Sequence, residues 1–251
     1  MKYTKLGTSD LNVSRIVLGC MRIADKPLER TERLLEAAVE AGVNMFDHAD
    51  IYGGGESERL FGLALKNTGI AREKIVVQSK CGIRKGMFDF SKQHILEAAE
   101  GSLKRLGTEY LDALLLHRPD ALMEPDEIFA AFDELYRSGK VRQFGISNFS
   151  VSQTRLLEGG RYPIAANQLQ FSLMHAGMVD EGLNVNMMKG ESVERGGEIL
   201  DYCRLKRITV QAWSPLNFGM FEGIFVGNEK FPELNAKLEE LAEKYACTPA
   251  A

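Results

Sequence analysis

Several familiar signatures are missing from this 251-residue chain, and each absence closes off a class of function. The four cysteines, Cys20, Cys81, Cys203 and Cys247, lie far apart and form no CxxC pair. They read as reduced thiols of a cytoplasmic protein rather than as a disulfide framework or a zinc site. No histidine-carboxylate spacing marks a metal centre, so no metal is expected. No Lys/Arg run offsets a formal net charge of −4, which argues against a nucleic-acid partner. No apolar run is long enough to span a bilayer, and the opening MKYTKLGTSD carries no signal region, so no membrane association is expected. Gly53-Gly54-Gly55 lies in neither GxGxxG nor GxxxxGKS/T spacing and reads as a flexible turn before a helix over 57–67.

What is present is an alternation of two textures. Hydrophobic residues make up 45% of the chain, enough to bury a large core in a single domain over 1–251. Short apolar runs over 15–18, 43–47, 75–80, 111–116, 141–147, 165–170 and 209–213 read as buried strands. Between them lie stretches of helical period, among them 31–41 (Leu34, Leu35, Ala38, Val39) and 125–138 (Ile128, Phe132, Leu135). Ser150 and Gln153 fit a capping box, and Ser91 is a second candidate cap. Strand and helix repeated in this way imply a parallel sheet with right-handed crossovers, and the even spacing suits a closed barrel. The segment 1–14 reads as a hairpin closing the lower end of that barrel. The stretch 171–197, rich in Gly, Asn and Met, reads as a long irregular loop over the active face. Its methionines, Met174, Met178, Met187 and Met188, suit a pliable substrate pocket and equally a merely disordered loop. The chain is expected to finish in a helix over 245–251.

Three of these strand ends carry residues that handle protons. Asp47 and Tyr52 lie in FDHADIYG, Lys80 in IVVQSK and His117 in LLLHRPD. Polar groups at the same end of successive parallel strands converge on one surface. A free phenol has a pKa of about 10, and an ammonium ~4 Å away stabilises the phenolate by roughly 4 kcal/mol at an effective dielectric near 20. Taken alone, that lowers the phenol by about three units. An aspartate paired with the lysine keeps it charged and moderates its pull. Tyr52 thus becomes a general acid, and His117 is placed to polarise a carbonyl. His48, in the same motif, reads as structural or substrate-lining.

These motifs resemble the aldo-keto reductase family. FDHADIYG is similar to its FDxAxxYG segment, and QSK and LLLHRPD to its lysine and histidine segments. GKVRQFGISNFS is similar to its G-K-I/V-R/K-x-x-G-V/I-S-N signature. The resemblance runs over nearly the whole chain. It implies a (β/α)8 TIM barrel that reduces aldehydes and ketones with NADP(H), Tyr52 as proton donor, Lys80 and Asp47 tuning it, and His117 orienting the carbonyl. It further places Ser147, Asn148 and Gln168 on the nicotinamide carboxamide, and Gly19, Cys20 and Met21 near the nicotinamide ribose. Trp213 falls where the family stacks an aromatic on the nicotinamide, and Ser214, Leu216 and Gly219 fall along the pyrophosphate. The expected partner is a small carbonyl or alcohol substrate, with oligomeric state left open. One departure stands out: the eighth strand and the segment after it, which bind adenine and the 2′-phosphate in the family, are missing from this chain, as in a truncated C-terminus. Two other readings remain at this point. One is a catalytically weak or inactive nucleotide-binding barrel. The other is a Schiff-base aldolase at Lys80.

Overall fold

A computed structural model describes residues 1–185, 187–188, 190, 198–219 and 222–251. The chain opens with an antiparallel hairpin, β1 (Tyr3–Lys5) and β2 (Asn12–Ser14). Then come β3 (Leu18–Gly19), α1 (Leu28–Glu40), β4 (Met45–Asp47), α2 (Glu56–Thr68) and β5 (Val76–Cys81). A short hairpin, β6 (Ile83–Arg84) with β7 (Met87–Phe88), leads into α3 (Lys92–Leu106) and β8 (Leu111–Leu116). Next are α4 (Pro125–Arg137), β9 (Val141–Ser147), α5 (Val151–Leu156) and β10 (Ile164–Gln170). The last elements are α6 (Gly177–Leu183), α7 (Ile199–Lys206), β11 (Thr209–Trp213) and α8 (Pro232–Tyr245). Seven strands form one sheet in the order β3-β4-β5-β8-β9-β10-β11. The pairs β3–β4, β4–β5, β5–β8 and β8–β9 are parallel. This is an α/β, TIM-barrel-like fold without its final strand among the described residues. The chain divides into two compact units, Met1–Asn167 with Tyr202–Thr209, and Gln168–Asp201 with Val210–Ala251.

Within the first unit, the two-residue period of the strands sorts side chains into two layers. Met45, Val76, Ala113 and Leu115 share one buried cluster with Leu6 and Val13 of the opening hairpin. Phe46, Val77, Leu114, Leu116, Phe144 and Ile146 point the other way, into a larger cluster with Phe61, Ile95, Ile128 and Phe132 of the helices. The Phe132 and Phe144 rings stack with centroids 3.9 Å apart. Strands buried on both faces need near-continuous apolar sequence, and LDALLL of β8 is buried throughout. Each such side chain contributes roughly 1.5–3 kcal/mol on leaving water.

Local chemistry sets the element ends. Ser91 Oγ accepts from the His94 amide at the start of α3, and Ser150 with Gln153 forms a complete capping box on α5. Asn44 accepts from the Ser14 amide (2.7 Å) and donates to the Asn12 carbonyl (2.9 Å), pinning the hairpin beside the start of β4. The hairpin therefore closes the end of the sheet opposite to Asp47 and Lys80.

The structure corrects three expectations. The helix placed over 245–251 ends instead at Tyr245. Ala246 turns left-handed (φ 51°), the Cys247 amide bonds back to the Ala242 carbonyl at 2.9 Å, and Pro249 bars continuation. The strand expected over 15–18 is the later, shorter β3, because the Arg15 amide pairs with the Lys2 carbonyl (2.9 Å) and so extends the hairpin. The segment 171–197 is not wholly irregular, since it contains α6 and a bridge between Ser172 and His175. Its positions 186, 189 and 191–197 lie outside the described residues.

Asp112 of β8 ties the lower ends of three strands together. Its carboxylate accepts from Arg72 Nη2 (2.7 Å), Arg142 Nη1 (3.0 Å) and the Val77 amide (2.9 Å), and it is 2% exposed. Asp112→Ala leaves the buried Val77 amide without its side-chain acceptor and takes one acceptor from each of Arg72 and Arg142, and the expected cost is about 1–3 kcal/mol. The urea midpoint should fall with an unchanged slope, and an unmoved midpoint would refute the role assigned to Asp112.

Candidate active site

The register that buries Met45 and Val76 sets Asp47, Gln78 and Lys80 on the same inward layer, at the C-terminal end of the strands. His117 continues that layer beyond β8. Lys80 is fully buried. Its ammonium donates to Asp47 Oδ2 (2.7 Å), the His48 carbonyl (2.7 Å) and Tyr52 Oη (3.0 Å), so all three N–H groups are used. Gln78 Nε2 donates to the other Asp47 oxygen at 2.6 Å. The Tyr52 and His117 rings meet edge to face with centroids 5.9 Å apart. Asp47, Tyr52, Lys80 and His117 are thus brought together as expected.

A tight turn carries Tyr52. The His48 amide donates to the Gln78 carbonyl (2.9 Å), the Asp50 amide to the Lys80 carbonyl (3.0 Å) and the Tyr52 amide to the Ala49 carbonyl (3.1 Å). Gly53, Gly54 and Gly55 follow, all left-handed, and α2 then begins at Glu56. A side chain at Gly53 would stand 2.3 Å from Ala24 Cβ, and one at Gly55 would stand 2.7 Å from Arg105 Cδ. The glycines therefore supply both backbone conformation and room.

Charge follows burial. Desolvation pulls the Lys80 ammonium down, but Asp47 and Tyr52 outweigh it, so Lys80 titrates above its ordinary value and stays charged. Burial raises the Tyr52 phenol and Asp47 adds to the rise, while Lys80 pulls the other way. The net shift is upward, which corrects the expectation of an acidified phenol: at this burial the cost of a phenolate exceeds the ammonium's pull. Burial, with Lys80 second, drives His117 down to about 3. Burial likewise drives His48 down to about 3. Both imidazoles are neutral at physiological pH. A lysine so saturated and charged is a poor nucleophile, which removes the chemical basis of a Schiff base at Lys80.

The aldo/keto reductase family model matches residues 15–251. The chain belongs to the aldo/keto reductase family. It is 40% identical over 223 residues to YcsN of Bacillus subtilis, described as an uncharacterized oxidoreductase, covering 84% of this chain and 69% of that protein. It is 36% identical over 243 residues to the oxidoreductase YdhF of Escherichia coli (92% and 74% covered). It is 34% identical over 238 residues to a 6-dehydroglucose reductase of Agrobacterium fabrum (89% and 75% covered). Among solved structures, a thermostable aldo-keto reductase, Tm1743, in complex with the inhibitor epalrestat aligns with a TM-score of 0.77 and 27% identity. That alignment covers 99% of this chain and 82% of the other.

The remaining family-derived positions fall in both units. In the first, Ser147 is buried at the end of β9, and Asn148, left-handed at φ 62°, donates to Ser147 Oγ at 2.9 Å. Asn148 Nδ2 also lies 3.5 Å from the His117 carbonyl. A hydroxyl and a primary amide, both neutral, match a neutral carboxamide in donor and acceptor chemistry. Gly19 and Met21 are exposed, whereas Cys20 is buried between them, its amide on the Asp47 carbonyl (2.9 Å) and its carbonyl on Ser57 Oγ (2.7 Å). In the second unit, Gln168 Nε2 donates to Gln211 Oε1 at 3.0 Å. There Trp213, Leu216 and Gly219 are half-buried, and Ser214 is left-handed at φ 52°. Among the described residues, no group of three or more His, Cys, Asp or Glu is disposed to hold a metal ion. Among them too, no helix is long and apolar enough to cross a membrane.

Of the two roles read for His48, the contacts fit the structural one: its side chain packs on Phe61 (centroids 4.5 Å) and its carbonyl holds Lys80. Sequence reasoning passed over Gln78, Asp50, Glu58 and Arg105, although Asp50 lies within FDHADIYG itself. The neutral histidines carry a linked prediction. Folded values near 3 against 6.5 mean that the unfolded chain binds the protons, so stability is lost as pH falls from 6.5 toward 3. The imidazoles of His48 and His117 should show no protonation shift of their own between about pH 8 and about pH 5, where an ordinary histidine takes up its proton. Titration of both near 6.5 would contradict the burial of these two rings.

Proposed function

We propose that this chain transfers hydride from NADPH to a small aldehyde or ketone, with Tyr52 as the proton donor. One observation carries the reading. Tyr52 Oη accepts a hydrogen bond from the buried Lys80 ammonium at 3.0 Å, so the phenol's own hydrogen is left to be donated. A bound reduced nicotinamide would supply the hydride, and Ser147 and Asn148 would hold its carboxamide. Hydride adds to the carbonyl carbon, the carbonyl oxygen gains negative charge, and that oxygen takes the Tyr52 proton to give the alcohol. His117, neutral and beside the Tyr52 ring, orients the oxygen without adding a charge.

The resting phenol is held neutral by its surroundings and is therefore loaded with the proton it must give. As that proton leaves, a phenolate forms about 3 Å from the ammonium, worth about 5 kcal/mol at an effective dielectric near 20, with Asp47 offsetting part of it. The interaction strengthens with progress along the reaction, and only such interactions raise the rate of the chemical step. The relation to a 6-dehydroglucose reductase is in keeping with a carbonyl substrate.

Purified protein should consume NADPH in the presence of a reactive aldehyde. Tyr52→Phe keeps the ring and removes the acid, and turnover should fall by about 10²- to 10⁴-fold. A Tyr52→Phe variant with full activity would end this assignment.

A further inference from the structure

Behind the Lys80–Tyr52 pair lies a second buried polar cluster that hydride transfer does not use. Glu58 of α2 is 0% exposed, and its carboxylate accepts from Ser79 Oγ (2.5 Å) and Arg105 Nε (2.7 Å). Arg105 of α3 also donates to Ser102 Oγ (3.2 Å) and rests against Gly55. Ser79 adjoins Lys80, and Gly55 closes the turn that carries Tyr52, so Glu58 and Arg105 brace both segments of the site. Asp50 lies in the same turn, two residues before Tyr52. Its amide is tied to the Lys80 carbonyl, and its buried Oδ1 has no partner among the described residues.

We propose that Asp50 is a positioning residue whose carboxyl carries a proton when the site is poised, and whose ionisation displaces the Tyr52 turn. Burial first, then the negative charge of Glu58, raise it to about 7, while Arg105, the Ile51 amide and Lys80 pull it down. Cys81 is the other titratable group facing it, and burial with the Asp50 charge keeps that thiol protonated. A neutral Asp50 needs no counter-ion. An ionised one is repelled by Glu58 and competes for Arg105 and Lys80, cations already engaged by Glu58 and Asp47. Drawing Lys80 toward Asp50 weakens its bond to Tyr52. The glycine run gives the turn no side-chain packing of its own with which to resist.

The kinetic consequence rests on the reductase reading, but the structural one does not, and the two are measured apart. In the full chain labelled with ring-¹³C tyrosine, the Tyr52 resonance is assigned by its loss in Tyr52→Phe. It should shift as pH passes through about 7 in the wild type, and the isosteric Asp50→Asn should abolish that shift. Glu58→Gln should move the midpoint to lower pH. Between about pH 6 and about pH 8.5, kcat for carbonyl reduction should fall at least about fivefold in the wild type and less than about twofold in Asp50→Asn. A wild-type resonance that stays fixed through neutral pH overturns the proposal, as does an identical shift in Asp50→Asn. Should the resonance titrate as described while no carbonyl consumes NADPH, the reductase reading falls and Asp50 keeps its role. NADPH consumption with an immobile resonance would instead leave the reductase reading standing and strip Asp50 of its role.

Discussion

Lys80 is buried with three N–H donors, and each meets an oxygen from the short stretch 47–52. A charged donor out of water without acceptors costs several kcal/mol, so the end of β4, the His48 carbonyl and the Tyr52 hydroxyl are all held where the ammonium needs them. That one constraint reaches outward. It fixes which face of Tyr52 is occupied and therefore which hydrogen the phenol can give away. It adds to the burial that keeps His117 neutral, because a second cation beside Lys80 is unfavourable. The ammonium pairs with Asp47 Oδ2 at 2.7 Å, and Gln78 donates to the carboxylate oxygen that Lys80 leaves.

The strands make this possible through parity. Asp47 sits two residues after Met45, and Lys80 four after Val76, so the side chains that anchor the hairpin at one end share a face with those that form the site at the other. A slip of one residue would turn Lys80 into the helix layer and bring Ser79 inward. The same parity puts Ser79 against Glu58, behind the site rather than in it. Site-facing and bracing polar groups thus alternate along VVQSKC.

This alternation explains what was legible in the sequence. Six of the seven sheet strands could be placed within two residues from apolar runs, since burial on both faces leaves a strong local signal; for β3 the run over 15–18 begins too early, because Arg15 belongs to the hairpin. The tetrad was readable because its members stand at strand ends inside compact motifs. The outer network was not, because it joins Asp50, Glu58, Ser79 and Arg105 across α2, β5 and α3, and no spacing in one sequence announces a contact between elements. The direction of the Tyr52 shift failed for a related reason. The pull of a neighbouring charge can be read from a motif, whereas desolvation depends on everything packed around the ring. The end of α8 was missed because Ala246, an excellent helix former, is left-handed there and closes the helix ahead of Pro249.

The upward shift of Tyr52 also changes how the site's electrostatics should be understood. An acidified phenol would be partly ionised at rest and would have spent its proton before substrate arrived. A phenol kept neutral by burial, next to a cation whose full effect is felt only by the phenolate, is loaded in the ground state and stabilised in the product of proton transfer. In the proposed reaction, Lys80 acts chiefly on the charge that develops, and Asp47 limits how strongly the phenolate is held, so that the acid can be recharged. Burial and the buried cation oppose each other in the resting site, and on the proposed reading that opposition lets a weak acid serve as a proton donor near neutral pH.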